Sequence, residues 1–289
     1  MYLENILSNI QEVHFSEITG KDVSLFIKRE DELHSFISGN KYRKLKYNLE
    51  EAKKQGKKTL ITFGGAYSNH IAAVSFAGKK FGFETIGIIR GDELANDFDK
   101  VLKENSTLKF ANEHNMKLNF VSRSDYRNKT TNKFIDNLKV KYGDFYLIPE
   151  GGTNRLAVKG CQEILTKEDH IFDVVCTAVG TGGTIAGVIN SLSKHQKVIG
   201  FPALKGDFLN LEIKKYVKET NSWSLNLDYN FGGYAKVSKE LITFINKFKL
   251  ETKIPLDAVY TGKMIFGIID LIKNDFFKKG TKIMAIHTG

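Results

Sequence analysis

"DVVCTAVGTGGTIAG" (residues 173–187) changes periodicity at a glycine turn. Its first half, Asp173 to Val179, is a short apolar, β-branched run of the kind that fills a buried strand. From Gly183 the spacing turns helical and stays so to Ser193, with Gly180, Gly182 and Gly183 at the junction. A strand running through a glycine turn into a helix is the repeating unit of an α/β fold.

The rest of the chain repeats that arrangement. Strands are predicted at 58–63, 84–89, 117–122, 145–149, 173–179, 197–203 and 282–287. Helices are predicted at 45–55, 69–81, 132–140, 183–193, 238–248 and 263–277. In a parallel sheet built this way, ligands collect where strand carboxyl ends lead into helix N-termini. The glycines fall there: "TFGGAYSNH" (62–70), "PEGGTNRLAVKG" (149–160), "AVGTGGTIAG" (178–187) and "HTG" (287–289). One such turn can serve backbone geometry alone; several at one sheet edge point to a shared ligand site. No repeat or linker-like segment interrupts the pattern, so topology sets the expected boundaries. They are a smaller α/β lobe over 41–147 and a larger one from 1–40 with 148–289.

At 289 residues, 42% hydrophobic and 26% charged, the chain has the length for two lobes and the composition of a folded protein. No apolar run reaches the roughly 20 residues that span a bilayer, so no membrane partner is expected. The start "MYLENILSNIQEVHF" lacks the pattern of a secretory signal, and a cytoplasmic location is expected. Cys161 and Cys176 are the sole cysteines and have no metal-ligand spacing, and HExxH is missing; no metal is expected. The net charge of +10 is carried mainly by lysines interleaved with acids, beside only six arginines. Arginine is the residue that reads guanine edges, so the lysines read as solvated helix faces and nucleic acid is not an expected partner. A small anion would still be drawn to such a field.

Four segments carry chemistry. In "VGTGGTIAG" (179–187), amides converging on a helix start make an anion cradle. GxGxxG fails because position 185 is Ile, and no Gly-Lys-Ser/Thr follows. A cradle for one phosphate remains, which suggests a phosphorylated cofactor. In "GGAYSNH" (64–70), Ser68, Asn69 and His70 open a helix, either as caps or as holders of a carboxylate and a ring hydroxyl; GxSxG is not met. "DAVYTGKMIFG" (257–267) sets Tyr260, Thr261 and Lys263 at another helix start, and "IHTG" ends a strand with the Thr288 hydroxyl. Finally, "FISGNKYRKLKY" (36–47) places Lys41, Arg43, Lys44 and Lys46 within six residues. This is either a solvated basic helix end or a lysine set for covalent work. Lysine becomes a nucleophile when burial or nearby cations lower its pKa from about 10.4, and Arg43 and Lys44 lie close along the chain. A phosphate cradle, a crowded lysine and no metal suit an aldehyde cofactor.

In "SGNKYRKLKYNLEEAKKQG" (38–56), "LITFGGAYSNH" (60–70), "YLIPEGGTN" (146–154), "AVGTGGTIAGV" (178–188), "LDAVYTGKMIFG" (256–267) and "IHTG" (286–289), taken in that order, the chain resembles a known family. It is similar to the fold type II pyridoxal-phosphate enzymes, within the group of D-cysteine desulfhydrases and 1-aminocyclopropane-1-carboxylate (ACC) deaminases. That likeness implies a two-lobed, parallel-sheet α/β architecture of the tryptophan synthase β kind, with pyridoxal 5'-phosphate in the cleft between the lobes. It implies that Lys41 joins the cofactor aldehyde as a Schiff base, and that Lys41, Ser68, Tyr234 and Tyr260 form the catalytic set. Lys44, with Thr181, Gly182, Gly183 and Thr184, would hold the phosphate, Asn69 the ring hydroxyl, and Thr261 would face the pyridine nitrogen. A neutral Thr261 hydroxyl would leave that nitrogen largely unprotonated. Ser68, Asn69, His70 and Thr288 would meet the substrate.

Within the group, Ser-Asn-His, Tyr-Thr-Gly-Lys and His-Thr-Gly mark the desulfhydrase-like branch. Here His70, Thr261 and Thr288 match it. The implied reaction is β-elimination from D-cysteine or a related small amino acid, giving pyruvate, ammonia and sulfide; ACC deamination is the alternative. A homodimer is the family habit. Ser38 departs from the glycine usual in its turn.

Overall fold

The computed structural model describes residues 3–4, 6–206, 208–218 and 222–289. Its strands are β1 (Ile10–Glu12), β2 (Val23–Lys28), β3 (Thr59–Gly65), β4 (Glu84–Arg90), β5 (Met116–Val121), β6 (Tyr146–Ile148), β7 (Val174–Val179), β8 (Lys197–Pro202), β9 (Trp223–Leu225) and β10 (Thr281–Ile286). The helices that bear on the site are α1 (Asn40–Lys54), α2 (Asn69–Phe81), α3 (Gly183–Asn190), α4 (Lys239–Thr252) and α5 (Thr261–Lys273).

The chain divides into two units. One holds Ser35–Ile37 and Lys44–Ala157, and the other Asn5–His34, Ser38–Arg43 and Val158–Gly289. Compared with the boundaries read from topology, Lys41 to Arg43 fall with the larger unit, and Ser35–Ile37 and 148–157 with the smaller. The helix start at Asn40 explains the first shift: the turn that carries Lys41 is tied to the C-terminal strand end, as described below.

The smaller unit is a four-stranded, all-parallel sheet in the order β5-β4-β3-β6. Ile61 and Phe63 of β3 and Ile86 and Ile88 of β4 alternate onto one face, where Tyr126 and Leu138 cover them. The larger unit is a six-stranded sheet in the order β1-β2-β10-β7-β8-β9, parallel except for β1. The central strands are apolar on both sides, as buried parallel strands must be. Cys176 and Ala178 of β7, with Ile283 and Ala285 of β10, enter one core along with Phe248 and Ile268. Val175 and Val179, with Met284 and Ile286, enter the core on the opposite face beside Ile185 and Val188. Burial accordingly pushes the Cys176 thiol far up from its ordinary range, and Cys161 is buried too.

All seven predicted strands are present, and β1, β2 and β9 are additional. No helix among the described residues is long and apolar enough to cross a membrane.

Candidate active site

The α1 segment settles the nature of the basic run. Arg43, Lys44 and Lys46 are all buried, at 1%, 3% and 3% exposure, so this is not a solvated helix end. Tyr42, Leu45, Leu49 and Ala52 form its apolar stripe. Buried cations need partners, and the structure supplies them. The Arg43 guanidinium grips Glu30 at two points, Nε to Oε2 at 2.9 Å and Nη2 to Oε1 at 2.8 Å. Burial alone would lower the Arg43 pKa, but the Glu30 hydrogen bonds and charge outweigh it and hold the guanidinium above its ordinary value. Arg43 is thus a paired ion rather than a free cation crowding Lys41. Lys44 donates to the Gly151 carbonyl at 2.8 Å and to the Thr153 hydroxyl at 3.2 Å, which makes it a built part of the turn after β6.

Lys41 is oriented differently. Its Nζ donates to Asn40 Oδ1 at 2.6 Å, and Asn40 Nδ2 in turn donates to Thr184 Oγ1 at 2.7 Å. Two hydrogen bonds therefore link the Lys41 amine to the first turn of α3. That turn opens at Gly182, whose φ of +83° is a left-handed conformation suited to glycine, and no side chain caps it. Thr184 is buried, and because its oxygen accepts from Asn40 it keeps its own proton to donate. Helix amides that no side chain caps, with a donor hydroxyl, make a seat for a phosphate. The donor set fits pyridoxal phosphate: an amine for the aldehyde, and a cradle for the phosphate within the same unit.

Tyr260 of this unit packs on the same turn. The Tyr260 ring lies against Gly180, where an added Cβ would come within 3.2 Å of its Cε1. The Tyr234 ring meets Tyr260 edge-on, with centroids 6.1 Å apart. Thr261, fully buried, donates its hydroxyl to Asp257 Oδ2 at 2.6 Å and accepts from the Asp257 amide at 2.9 Å. The Asp257 carboxylate also receives the amides of Val259, Tyr260 and Thr261 and so caps α5. The Thr288 carbonyl receives the Asn40 amide at 3.1 Å and anchors the start of α1.

In the smaller unit, Ser68 caps α2 by accepting from the Ile71 amide at 3.4 Å, which leaves its hydroxyl proton for an acceptor. Asn69 opens α2 and is exposed. His70 is buried, with Nε2 2.8 Å from Thr62 Oγ1. Thr62 spends its proton on the Ile148 carbonyl at 2.9 Å, so His70 must be the donor through Nε2.

Sequence reasoning missed Asn40 and Asp257. Asn40 reads as a turn residue in "SGNK", and its role is visible only through Thr184. Asp257, four residues before Thr261, carries the spacing of a capping acid, and that signal could have found it.

Fold and site together give an α/β chain whose donor set suits a phosphorylated aldehyde cofactor. The family described as "Pyridoxal-phosphate dependent enzyme" matches residues 10–289. The chain belongs to that family, within its ACC deaminase and D-cysteine desulfhydrase group. It is 31% identical over 308 residues to a Pyrococcus horikoshii protein named "Putative 1-aminocyclopropane-1-carboxylate deaminase", covering 100% of this chain and 87% of the relative. It is 32% identical over 294 residues to the mitochondrial "Bifunctional D-cysteine desulfhydrase/1-aminocyclopropane-1-carboxylate deaminase" of Arabidopsis thaliana, covering 92% of this chain and 72% of that one. A crystal structure described as that of "the ACC deaminase homologue" superposes with a TM-score of 0.80 at 30% identity, over 99% of this chain and 91% of that one.

Proposed function

We propose that this chain is a deaminating lyase that releases ammonia and a 2-oxo acid from a small amino acid. The observation that carries the reading is the path from Lys41 Nζ through Asn40 to Thr184 at the α3 N-terminus. Pyridoxal phosphate, when bound, supplies an aldehyde for the amine and a ring that takes up negative charge from the α-carbon.

The chain's residues then take these roles. Lys41 would carry the aldehyde, and its amine would take the α-proton of D-cysteine; ACC has no α-hydrogen, and there the same amine would serve as proton carrier for the ring carbons that open. Asn40 Oδ1 accepts one proton of that amine and orients it. Thr184 and the amides at Thr181, Gly182 and Gly183 would hold the phosphate. Lys44 would have to leave Gly151 and Thr153 to join them. Ser68 would donate to the substrate carboxylate with Asn69, and Asn69 would also take the ring hydroxyl. A neutral His70, with its proton on Nε2, offers an acceptor at Nδ1 and would need a second proton to hold a carboxylate. Tyr234 and Tyr260 would flank the substrate, and Thr288 would meet it. The Thr261 hydroxyl has its one proton on Asp257, so a ring nitrogen facing it finds an acceptor. A neutral hydroxyl is a weak acceptor beside a carboxylate, in keeping with a ring nitrogen left largely unprotonated.

For the substrate, the names of the Pyrococcus horikoshii relative and of the superposed homologue support ring-opening of ACC to 2-oxobutanoate more than they support D-cysteine. D-cysteine is the second reading, supported by His70, Thr261 and Thr288 and by the Arabidopsis relative's bifunctional name. Ammonia release from ACC, D-cysteine and L-cysteine, with the 2-oxo acid identified, tests both. Borohydride reduction followed by peptide mass spectrometry tests Lys41. A cofactor reduced onto any other lysine, or no ammonia from any of the three, would overturn the reading.

A further inference from the structure

Lys263 is a lysine the reaction does not use, yet it is 2% exposed on the first turn of α5. Its ammonium donates to the Asn230 carbonyl at 2.9 Å and to the Gly233 carbonyl at 2.8 Å. Burial lowers its pKa, with Asp257 pulling the other way. Either protonation state keeps the two N–H groups these bonds need.

The segment it grips concentrates left-handed backbone. Phe231, Gly232, Gly233 and Ala235 have φ of +52°, +90°, +116° and +55°. Two of these are not glycine, and left-handed backbone at such residues persists only where the surroundings enforce it. Local turn bonds help: Asn230 Oδ1 accepts the Gly232 amide, and the Gly233 amide reaches the Asn230 carbonyl. The docking onto α5 is made by side chains. Phe231 meets Phe266 edge-on at 5.0 Å, and Tyr229 donates to Asp270 at 2.8 Å. Lys263 supplies the remaining clamp, and it closes on the carbonyls at the two ends of the turn. Immediately beyond stands Tyr234, 41% exposed, with its ring on Tyr260.

We infer that Lys263 is a positioning residue: by holding the Asn230–Gly233 turn left-handed, it fixes the Tyr234 ring over Tyr260 beside the glycine turn at Gly180. The inference rests on the reading above that Tyr234 and Tyr260 flank the substrate. The clamp itself can be measured without any turnover.

Lys263→Met keeps the length and removes the donors. Gly233→Ala breaks the same turn from the other side without touching the buried lysine, and serves if the first variant does not fold. Amide hydrogen exchange, read on the apoprotein, is expected to quicken about tenfold at 231–236 in either variant, with α3 and β7 unchanged. In the loaded enzyme kcat/KM falls by a similar factor while cofactor affinity holds. In a Tyr234→Ala background, Lys263→Met then has no further effect on kcat/KM. Unchanged exchange at 231–236 overturns the clamp. A Lys263→Met penalty that persists in full without Tyr234 overturns its positioning role. Quickened exchange in a protein that deaminates none of the three amino acids leaves the clamp standing and sinks the functional reading instead.

Discussion

Gly39 sits so close to the chain's last strand end that a Cβ added to it would stand 1.8 Å from the carbonyl oxygen of Thr288. The same oxygen receives the Asn40 amide. The turn before Lys41 is thus pressed onto the C-terminal segment, and the register of α1 is set there. Gly39→Ala must push the two apart, and its φ of +58° strains any other residue. We expect a stability loss of about 1 to 3 kcal/mol together with weakened cofactor binding. Urea denaturation and an absorbance titration with pyridoxal phosphate check the two effects separately.

Asn40 bridges Lys41 and Thr184, so its removal should loosen the cofactor without unfolding the protein. Asn40→Ala is expected to lower cofactor affinity about tenfold, the worth of a buried hydrogen bond. The thermal midpoint of the apoprotein should move little by comparison. Fluorescence titration reads the first quantity and calorimetry the second; unaltered affinity would remove Asn40 from the site.

The Glu30–Arg43 pair is almost fully excluded from water, with side chains 0% and 1% exposed. Removing one partner strands the other charge. Glu30→Ala should cost about 3 to 5 kcal/mol, whereas replacing both residues with apolar side chains of similar volume should cost far less. Denaturation of the single and double variants gives the coupling directly.

How much of this was legible in sequence depends on where each partner lies along the chain. β7 and β10 show as apolar runs because both faces of each strand are buried, and α1 to α5 show by their periodic stripes. β2, "VSLFIK", did not, because its Lys28 looks like a surface residue. Lys28 is buried only because Asp169, 141 positions away, meets it at 2.8 Å. The basic run at 41–46 stays ambiguous in sequence for the same reason, since the partners of Arg43 and Lys44, Glu30 and Gly151, lie elsewhere along the chain. The motif points to Lys41 but not to Asn40, because Asn40's partner Thr184 lies 144 residues on. Local pattern carries the elements, and distant pairing carries the site.

A pH effect follows from Tyr146 on β6. Burial, with the Glu51 charge second, pushes its phenol from the usual 10 up to about 12, while its hydroxyl donates to Asn48 Oδ1 at 3.1 Å. The folded state holds this proton more tightly than the unfolded one. The stabilisation is complete below about pH 10 and is lost as pH rises toward 12. Tyr146→Phe should therefore be less stable at pH 8 by about 1 kcal/mol, and its stability should fall less steeply than that of the parent across the alkaline window. Parallel slopes would show that another group governs the transition.

Asp257 gives the sharpest test of hydrogen-bond direction. Its Oδ2 receives both the Thr261 amide, at 2.8 Å, and the Thr261 hydroxyl, at 2.6 Å. In Asp257→Asn one oxygen becomes an NH2 group, which can accept neither. If the remaining oxygen keeps the Val259 and Tyr260 amides, the Thr261 hydroxyl loses its acceptor and its proton becomes available to whatever it faces. Two consequences should appear together. The α5 cap weakens, at a cost of about 1 kcal/mol, visible in the apoprotein. In the loaded protein a ring nitrogen facing Thr261 would gain a hydrogen-bond donor, visible as a shift of the nitrogen resonance of labelled cofactor. Thr261→Val separates the two, because it removes the hydroxyl while keeping the backbone cap. A lowered stability with an unmoved resonance in both variants would mean that Thr261 does not face the ring and that Asp257 serves the helix alone.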